Sequence, residues 1–200
     1  GEVVRVVLLF YLSPIWAVLL GRWLLGERLS RSTWVMLGLG LGGALVMLWD
    51  PAVGRAPLNR ADLLALTAGI AFALNNVMTR RITGLGIPAK TQLAWLGVVV
   101  VSAVFILVQP VDLPDAPAFA WWTTVLLGVC GFLLSTLAVV YGVTHMPVQR
   151  SAVIMLFELV VGAASAWWLA GEVVTLQEWI GGMLILSAAL IAIVQEEQSK

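Results

Sequence analysis

The sequence predicts an all-α integral membrane protein, with seven transmembrane helices visible as part of a ten-helix bundle built from two inverted five-helix repeats (5+5). Three observations predict it: an apolar composition, a series of spans of bilayer length, and an internal echo between the two ends of the chain. The 200 residues are 61% hydrophobic and 11% charged, against about 25% charged in a soluble domain, and the mean hydropathy is +1.01. Most water-soluble folds are excluded. Ten Trp and 19 Gly speak against a disordered chain, and a net charge of zero gives no electrostatic case for a nucleic-acid partner. The single cysteine, Cys130, lies in an apolar run, which excludes a disulfide framework and a cysteine-cluster metal site. Residue 1 is Gly and the first apolar run opens at Val3, so no targeting segment is visible and the chain reads as cut into partway.

A hydrocarbon core of about 30 Å takes about 20 apolar residues per helix, because backbone groups cannot be left unpaired in lipid. The stretches that qualify run from Val3 to Leu25, Thr33 to Trp49, Ala61 to Ile82, Thr91 to Gln109, Phe119 to Thr144, Ala152 to Ala170 and Leu176 to Val194. Short polar breaks separate them: Glu27 to Ser32, Asp50 to Arg60, Arg80 to Lys90, Pro110 to Pro117, His145 to Arg150 and Gly171 to Thr175. These hold most of the charge and many of the prolines, as turns at a membrane surface should.

Alternating sides along the chain puts Arg5, Arg55 and Arg60 on one side. The other side holds Arg22, Arg28, Arg31, Arg80, Arg81, Lys90, Arg150 and Lys200. By the positive-inside rule the richer set, with the C-terminus, faces the cytoplasm. Most Trp residues, among them Trp34, Trp49, Trp121, Trp122, Trp167, Trp168 and Trp179, fall near span ends, where an amphipathic ring anchors at the headgroup layer.

Self-comparison finds an ungapped echo at an offset of 145 residues. Gly26-Glu27 matches Gly171-Glu172, Arg5 falls on Arg150, Trp23 on Trp168, Ser30 on Thr175, Trp34 on Trp179, Ala44 on Ala189 and Leu45 on Leu190. An odd number of crossings, five, separates the two Gly-Glu turns. The second copy must therefore insert upside down relative to the first. Inverted repeats of this kind recur in secondary transporters, where exchanging the conformations of the halves opens a site to alternate sides. Residues 1–50 then supply the last two helices of a first repeat and residues 60–195 a complete second one. Three helices, about 85 residues, are expected before Gly1, which makes a whole of about 285 residues.

The stretch Phe10-Tyr11-Leu12-Ser13-Pro14 through Leu24-Leu25-Gly26-Glu27-Arg28-Leu29, with the Gly-rich run Gly38-Leu39-Gly40-Leu41-Gly42-Gly43, resembles the end of the first EamA domain of the drug/metabolite transporter superfamily. Ala61 to Arg81, with Ala71-Phe72-Ala73-Leu74-Asn75-Asn76 before Arg80-Arg81, resembles the opening helix of its second EamA domain. Phe157-Glu158 to Gly171-Glu172 resembles its closing pair. Leu159 stands where the family often has Pro after the Glu, whereas Pro14 keeps it in the first copy. The resemblance covers nearly the whole chain and implies ten helices and the export of small metabolites or drugs.

Glu158 is the one ionisable residue near the middle of a span. An acid there costs about 2.5 to 3.5 kcal/mol on insertion scales, so such groups usually face a cavity and serve a pathway or proton relay. Ser151, Met155, Gly162 and Ser165 share its stripe at three-and-four spacing. Two readings follow: a carboxylate that binds a cationic group or exchanges a proton, or an interior Glu bonded to neighbouring helices for structure. Ser13 is the repeat partner of Glu158, and Tyr11, Ser13 and Trp16 form a polar and aromatic patch beside Pro14, which removes a backbone donor. The rings could stack on a flat or cationic substrate, or simply pack helices. Asn75 and Asn76 lie deep in the third span, where an amide needs a partner, so one lines the cavity or glues helices.

Thr124, Gly128, Gly131, Ser135, Ala138, Gly142 and His145 make a small-residue stripe on the fifth span, and Gly38 and Gly42 a GxxxG pair. Both read first as close packing. Glu27 and Glu172, in tight turns after Gly, are expected to bond backbone donors or basic residues rather than substrate, and Arg80 and Arg81 to set topology. There is no Walker-type loop, no HExxH and no paired Cys or His ligand set. Neither ATP-driven transport nor a metal site is supported, no cofactor is expected, and an intramembrane enzyme would need a second polar group against Glu158.

The expectation is a secondary-active transporter that exports small, amino-acid-like metabolites or drugs by alternating access, with protons as a possible coupling ion. It would be a multi-pass protein of the plasma (inner) membrane. A nucleotide-sugar or lipid-carrier transporter of the same superfamily is the alternative, followed by a non-transporting membrane component. Anionic cargo would favour an intramembrane Lys or Arg, and none is seen mid-span.

Overall fold

The computed structural model describes residues 2–51, 59–109, 115–171 and 173–198. Their backbone is helical almost throughout, and no strand occurs among them. The helices are α1 (Glu2–Phe10), α2 (Ser13–Leu25), α3 (Arg31–Met47), α4 (Arg60–Arg81), α5 (Ile87–Val108), α6 (Ala118–Leu126), α7 (Leu133–His145), α8 (Val148–Met155), α9 (Phe157–Ala170) and α10 (Leu176–Gln198), with a π-helical stretch, Leu127–Phe132, joining α6 to α7. Six spans are long and apolar enough to cross a membrane: Val3–Leu25, Arg60–Arg81, Ile87–Val108, Ala118–His145, Val148–Leu169 and Leu176–Val194. The remaining apolar helix, Arg31–Met47, has 17 residues, about 25 Å of rise.

Two compact units are present, residues 1–78 with 146–200, and residues 79–145. In the first, α3 and α10 pack along their length, and α2 lies against α8. Their contact is close because it is made through glycine. A Cβ on Gly43 would stand 2.7 Å from Gly181 O, and one on Gly181 2.6 Å from Gly43 O. Around this seam Val18, Met36, Leu37, Val153, Ala188 and Ala192 form one buried cluster. Ala17, Ala73, Val77, Val148 and Ala152 form another, covered by Trp16 and Leu20. Gly38 and Gly42, the GxxxG pair of the sequence, have nothing within 4 Å of a built Cβ. The tight positions of α3 are Gly40 and Gly43, which lie outside that pair.

The local signals that shape α2 and α3 recur in α9 and α10. Gly26 (φ 69°, ψ 20°) ends α2 and Gly171 (φ 67°, ψ 20°) ends α9, both left-handed, a conformation open to Gly without a Cβ penalty. Ser30 and Thr33 close a reciprocal N-terminal cap on α3 (Thr33 N to Ser30 Oγ 3.2 Å, Ser30 N to Thr33 Oγ1 3.3 Å). Thr175 and Glu178 do the same on α10 (Glu178 N to Thr175 Oγ1 3.2 Å, Thr175 N to Glu178 Oε2 2.7 Å).

Two spans of this unit, Val3–Leu25 and Val148–Leu169, are interrupted. The first breaks at Tyr11-Leu12, with short-range bonds from Leu12 N to Leu9 O and Ile15 N to Leu12 O. Pro14 follows at the start of α2. The other breaks at Leu156, with Leu156 N to Val153 O and Leu159 N to Leu156 O. The second break thus occurs without proline: Leu159 keeps its N–H and donates it three residues back, so a tightened turn takes the place of a missing donor.

In the second unit α5 packs on α7, and Val140 and Val143 are the buried positions of α7. Two glycines of the small-residue stripe make no such contact. A Cβ on Gly128 meets nothing within 4 Å, and one on Gly131 meets only Leu127 of its own π stretch. Lys90, which the sequence places in a turn, lies in the first turn of α5, buried. Its Nζ donates to Thr79 O (2.7 Å) and Thr144 Oγ1 (3.2 Å), and Arg80 donates to Thr144 O (3.3 Å). A cation at the C-terminal ends of α4 and α7 meets carbonyls that have no helical partner.

Candidate functional site

The breaks in the two spans face one small cavity of about 30 Å³, room for a water and too little for a metabolite. Each wall has a local reason. The turn at Tyr11 presents its ring at the end of α1. Pro14 and buried Ser13 open α2. α4 brings Phe72 and buried Asn76 one turn apart on one face, and the turn at Leu156 starts α9 with Glu158 in its first turn. α4 can come this close because Gly69 has no side chain: a Cβ there would lie 3.0 Å from Phe10 O.

The polar groups at the cavity are few. Tyr11 Oη donates to Glu158 Oε1 at 2.7 Å, a short bond of the charge-assisted kind when the acid is ionised. Asn76 Nδ2 donates to Met155 Sδ at 3.6 Å. Phe10 stands edge-on to Tyr11 (centroids 5.8 Å) and tilted to Phe72 (5.5 Å). Glu158 is the single charged side chain among the cavity's lining residues.

Of the residues singled out from sequence, Glu158, Tyr11, Ser13 and Asn76 meet here, and Pro14 lines the same cavity. Asn75 is exposed on the other face of α4. Trp16 packs on the alanine and valine cluster behind the cavity, its Nε1 buried without a hydrogen-bond partner among the described residues. Ser165 donates to its own Val161 O (2.7 Å). Ser135 is exposed on α7 in the second unit. Glu27 accepts from Val148 N with both oxygens (3.2 and 3.1 Å), so it caps the start of α8. Glu172, Arg55 and Lys200 lie outside the described residues.

One interaction has no counterpart in the sequence reading. Arg5 Nε donates to Asp62 Oδ1 at 2.8 Å with side chains 8% and 3% exposed. Asp62 and Asn59 cap each other at the start of α4 (Asn59 N to Asp62 Oδ2 2.8 Å, Asp62 N to Asn59 Oδ1 3.1 Å). An arginine one turn into an apolar span and an aspartate at the start of another are the only signals the sequence carries for it. A larger groove of about 480 Å³ beside Trp167 and Trp179 is apolar apart from Glu178, which already caps α10.

The sequence matches the EamA-like transporter family over residues 1–49 and 59–194. It is 28% identical over 191 residues to an uncharacterized transporter of Archaeoglobus fulgidus, covering 96% of this chain and 67% of that protein. It is 27% identical over 187 residues to a riboflavin transporter of Rhizobium johnstonii, covering 89% of this chain and 57% of that protein. A solved crystal structure shares the fold with a TM-score of 0.80 at 20% identity, over 100% of this chain and 70% of the other. With the matched segments taking in nearly all of its spans, the chain belongs to the EamA-like transporter family of the drug/metabolite transporter superfamily.

Proposed function

We propose that this chain carries the last two helices of one five-helix repeat (residues 1–50) and the whole of a second (residues 60–195), in a ten-helix secondary transporter of the plasma membrane with a cytoplasmic C-terminus. It exports small amino-acid-like metabolites or drugs by alternating access, with Glu158 as the charged group of the pathway. The observation that carries this reading is the meeting of Glu158 and Tyr11 at the breaks of two spans, beside one cavity. Broken helices near mid-membrane free backbone groups for a cargo and supply the joints about which halves move. The recurrence of the glycine ends and reciprocal caps at the 145-residue offset supports the repeat.

A cavity whose lining has one carboxylate and no Lys or Arg favours cationic or neutral cargo over nucleotide-sugars and lipid-linked phosphates. The relative named as a riboflavin transporter adds a second reading, a flat ring system stacked on Phe10 or Phe72, whose own centroids stand 5.5 Å apart. The test is efflux from cells expressing the natural full-length protein at matched levels, with wild type and Glu158→Gln compared on amino acids, their toxic analogues, cationic dyes and riboflavin. We expect selective efflux that falls at least about tenfold in the Gln variant, the loss of one charge-assisted interaction. Equal efflux from both returns Glu158 to a structural role, and no efflux of any compound removes the exporter reading.

A further inference from the structure

Tyr11 sits in the break between α1 and α2, and Glu158 opens α9 just past the break at Leu156. Their hydrogen bond of 2.7 Å therefore ties one interrupted span to the other across the two joints. An ionised carboxylate offers about four acceptor positions, and among the described residues Tyr11 fills one of them. The cavity beside it holds about 30 Å³, too little for a cargo of metabolite size, and Glu158 is itself exposed, so a cargo that reaches the carboxylate from its open side meets the Tyr11 hydroxyl already bonded there. A neutral phenol is a weak competitor for a carboxylate; a primary ammonium brings a full charge and three donors. Phe10 and Phe72 flank the same space, and ring faces stabilise a cation further.

We propose that Tyr11 is a latch on Glu158: its hydroxyl holds the two interrupted spans together beside the cavity, and a protonated amine on the cargo takes its place on the carboxylate. Tyr11 is thus a positioning residue, and the cargo class is a small arylalkyl- or alkyl-ammonium compound. The proposal rests on the reading of Glu158 as the pathway acid.

Binding of phenethylamine and of its neutral isostere 2-phenylethanol to the natural full-length protein in nanodiscs tests it, in wild type, Tyr11→Phe and Glu158→Gln. Size-exclusion profiles check that each variant is folded. Tyr11→Phe keeps the ring and removes only the competitor. We expect it to tighten phenethylamine binding about tenfold, the worth of one hydrogen bond to a charged group, and to leave 2-phenylethanol unchanged. Glu158→Gln should bring the amine down to the level of the alcohol. Amine binding that is weaker or unchanged in Tyr11→Phe, while Glu158→Gln still abolishes the preference, overturns the latch and leaves the pathway acid standing. Amine preference that survives Glu158→Gln, or is missing from wild type, removes the pathway reading and the latch with it.

Discussion

Arg5 and Asp62 show how a single pair can govern a membrane unit. Both side chains are almost fully buried and the guanidinium meets the carboxylate at 2.8 Å. Breaking a buried pair of this kind by removing one partner costs about 3 to 5 kcal/mol. Asp62→Ala also removes the acceptor for Asn59 N at the start of α4. We expect this variant to lose most of its resistance to denaturation by SDS, measured by ellipticity, while Arg5→Met with Asp62→Leu recovers a large part of it. A double variant as unstable as the single would show that the pair does more than compensate its own burial. The sequence hides this contact because 57 residues separate the partners and no periodicity links them. Arg5 alone reads as a topology charge. Glu158, by contrast, is visible because an acid inside an apolar run is conspicuous without any partner. The adjacent amides show the limit: Asn75 and Asn76 sit about 100° apart on one helix, and only packing decides that Asn76 faces the cavity.

At the scale of elements, the α3 and α10 seam is where backbone meets backbone. A methyl group on Gly43 or Gly181 would lie 2.6 to 2.7 Å from a carbonyl oxygen of the facing helix, which cannot turn aside as a side chain would. Gly43→Ala and Gly181→Ala should each destabilise by about 1 to 3 kcal/mol. Gly38→Ala and Gly42→Ala, with open space at both sites, should be neutral or stabilising by up to about 1 kcal/mol through helix propensity. SDS unfolding of the four variants side by side checks the contrast, and equal losses in all four would contradict the seam. The GxxxG spacing flags the wrong pair because it records which glycines are four apart, not which face meets another helix. The span limits, in contrast, are readable to within a few residues, since hydropathy alone sets them. What hydropathy cannot see is a break inside an apolar run. The interruption at Leu156 has no proline to mark it, and the one at Tyr11-Leu12 has only Pro14.

For the whole molecule the question is which way each of the two glycine-ended turns points. The two glycine-terminated helices share their end geometry and their following caps, so as local structures they are near duplicates. Duplicate turns on the same side would mean a tandem arrangement, in which the two copies move alike; turns on opposite sides give the antiparallel pair that alternating access uses. Charge distribution argues for the second, with Arg22, Arg28 and Arg31 around the first turn and no Lys or Arg between Arg150 and Lys200. Arg28 and Val173 are exposed beside the two turns, and Cys130 is the single thiol of this sequence. In a Cys130→Ala background, Arg28→Cys and Val173→Cys can therefore be probed one at a time in intact cells with a membrane-impermeant maleimide. We expect Val173→Cys to react from outside and Arg28→Cys to react only after the membrane is permeabilised. Labelling of both from the same side would make the repeats parallel, and with that the exchange of conformations between the halves would lose its structural basis.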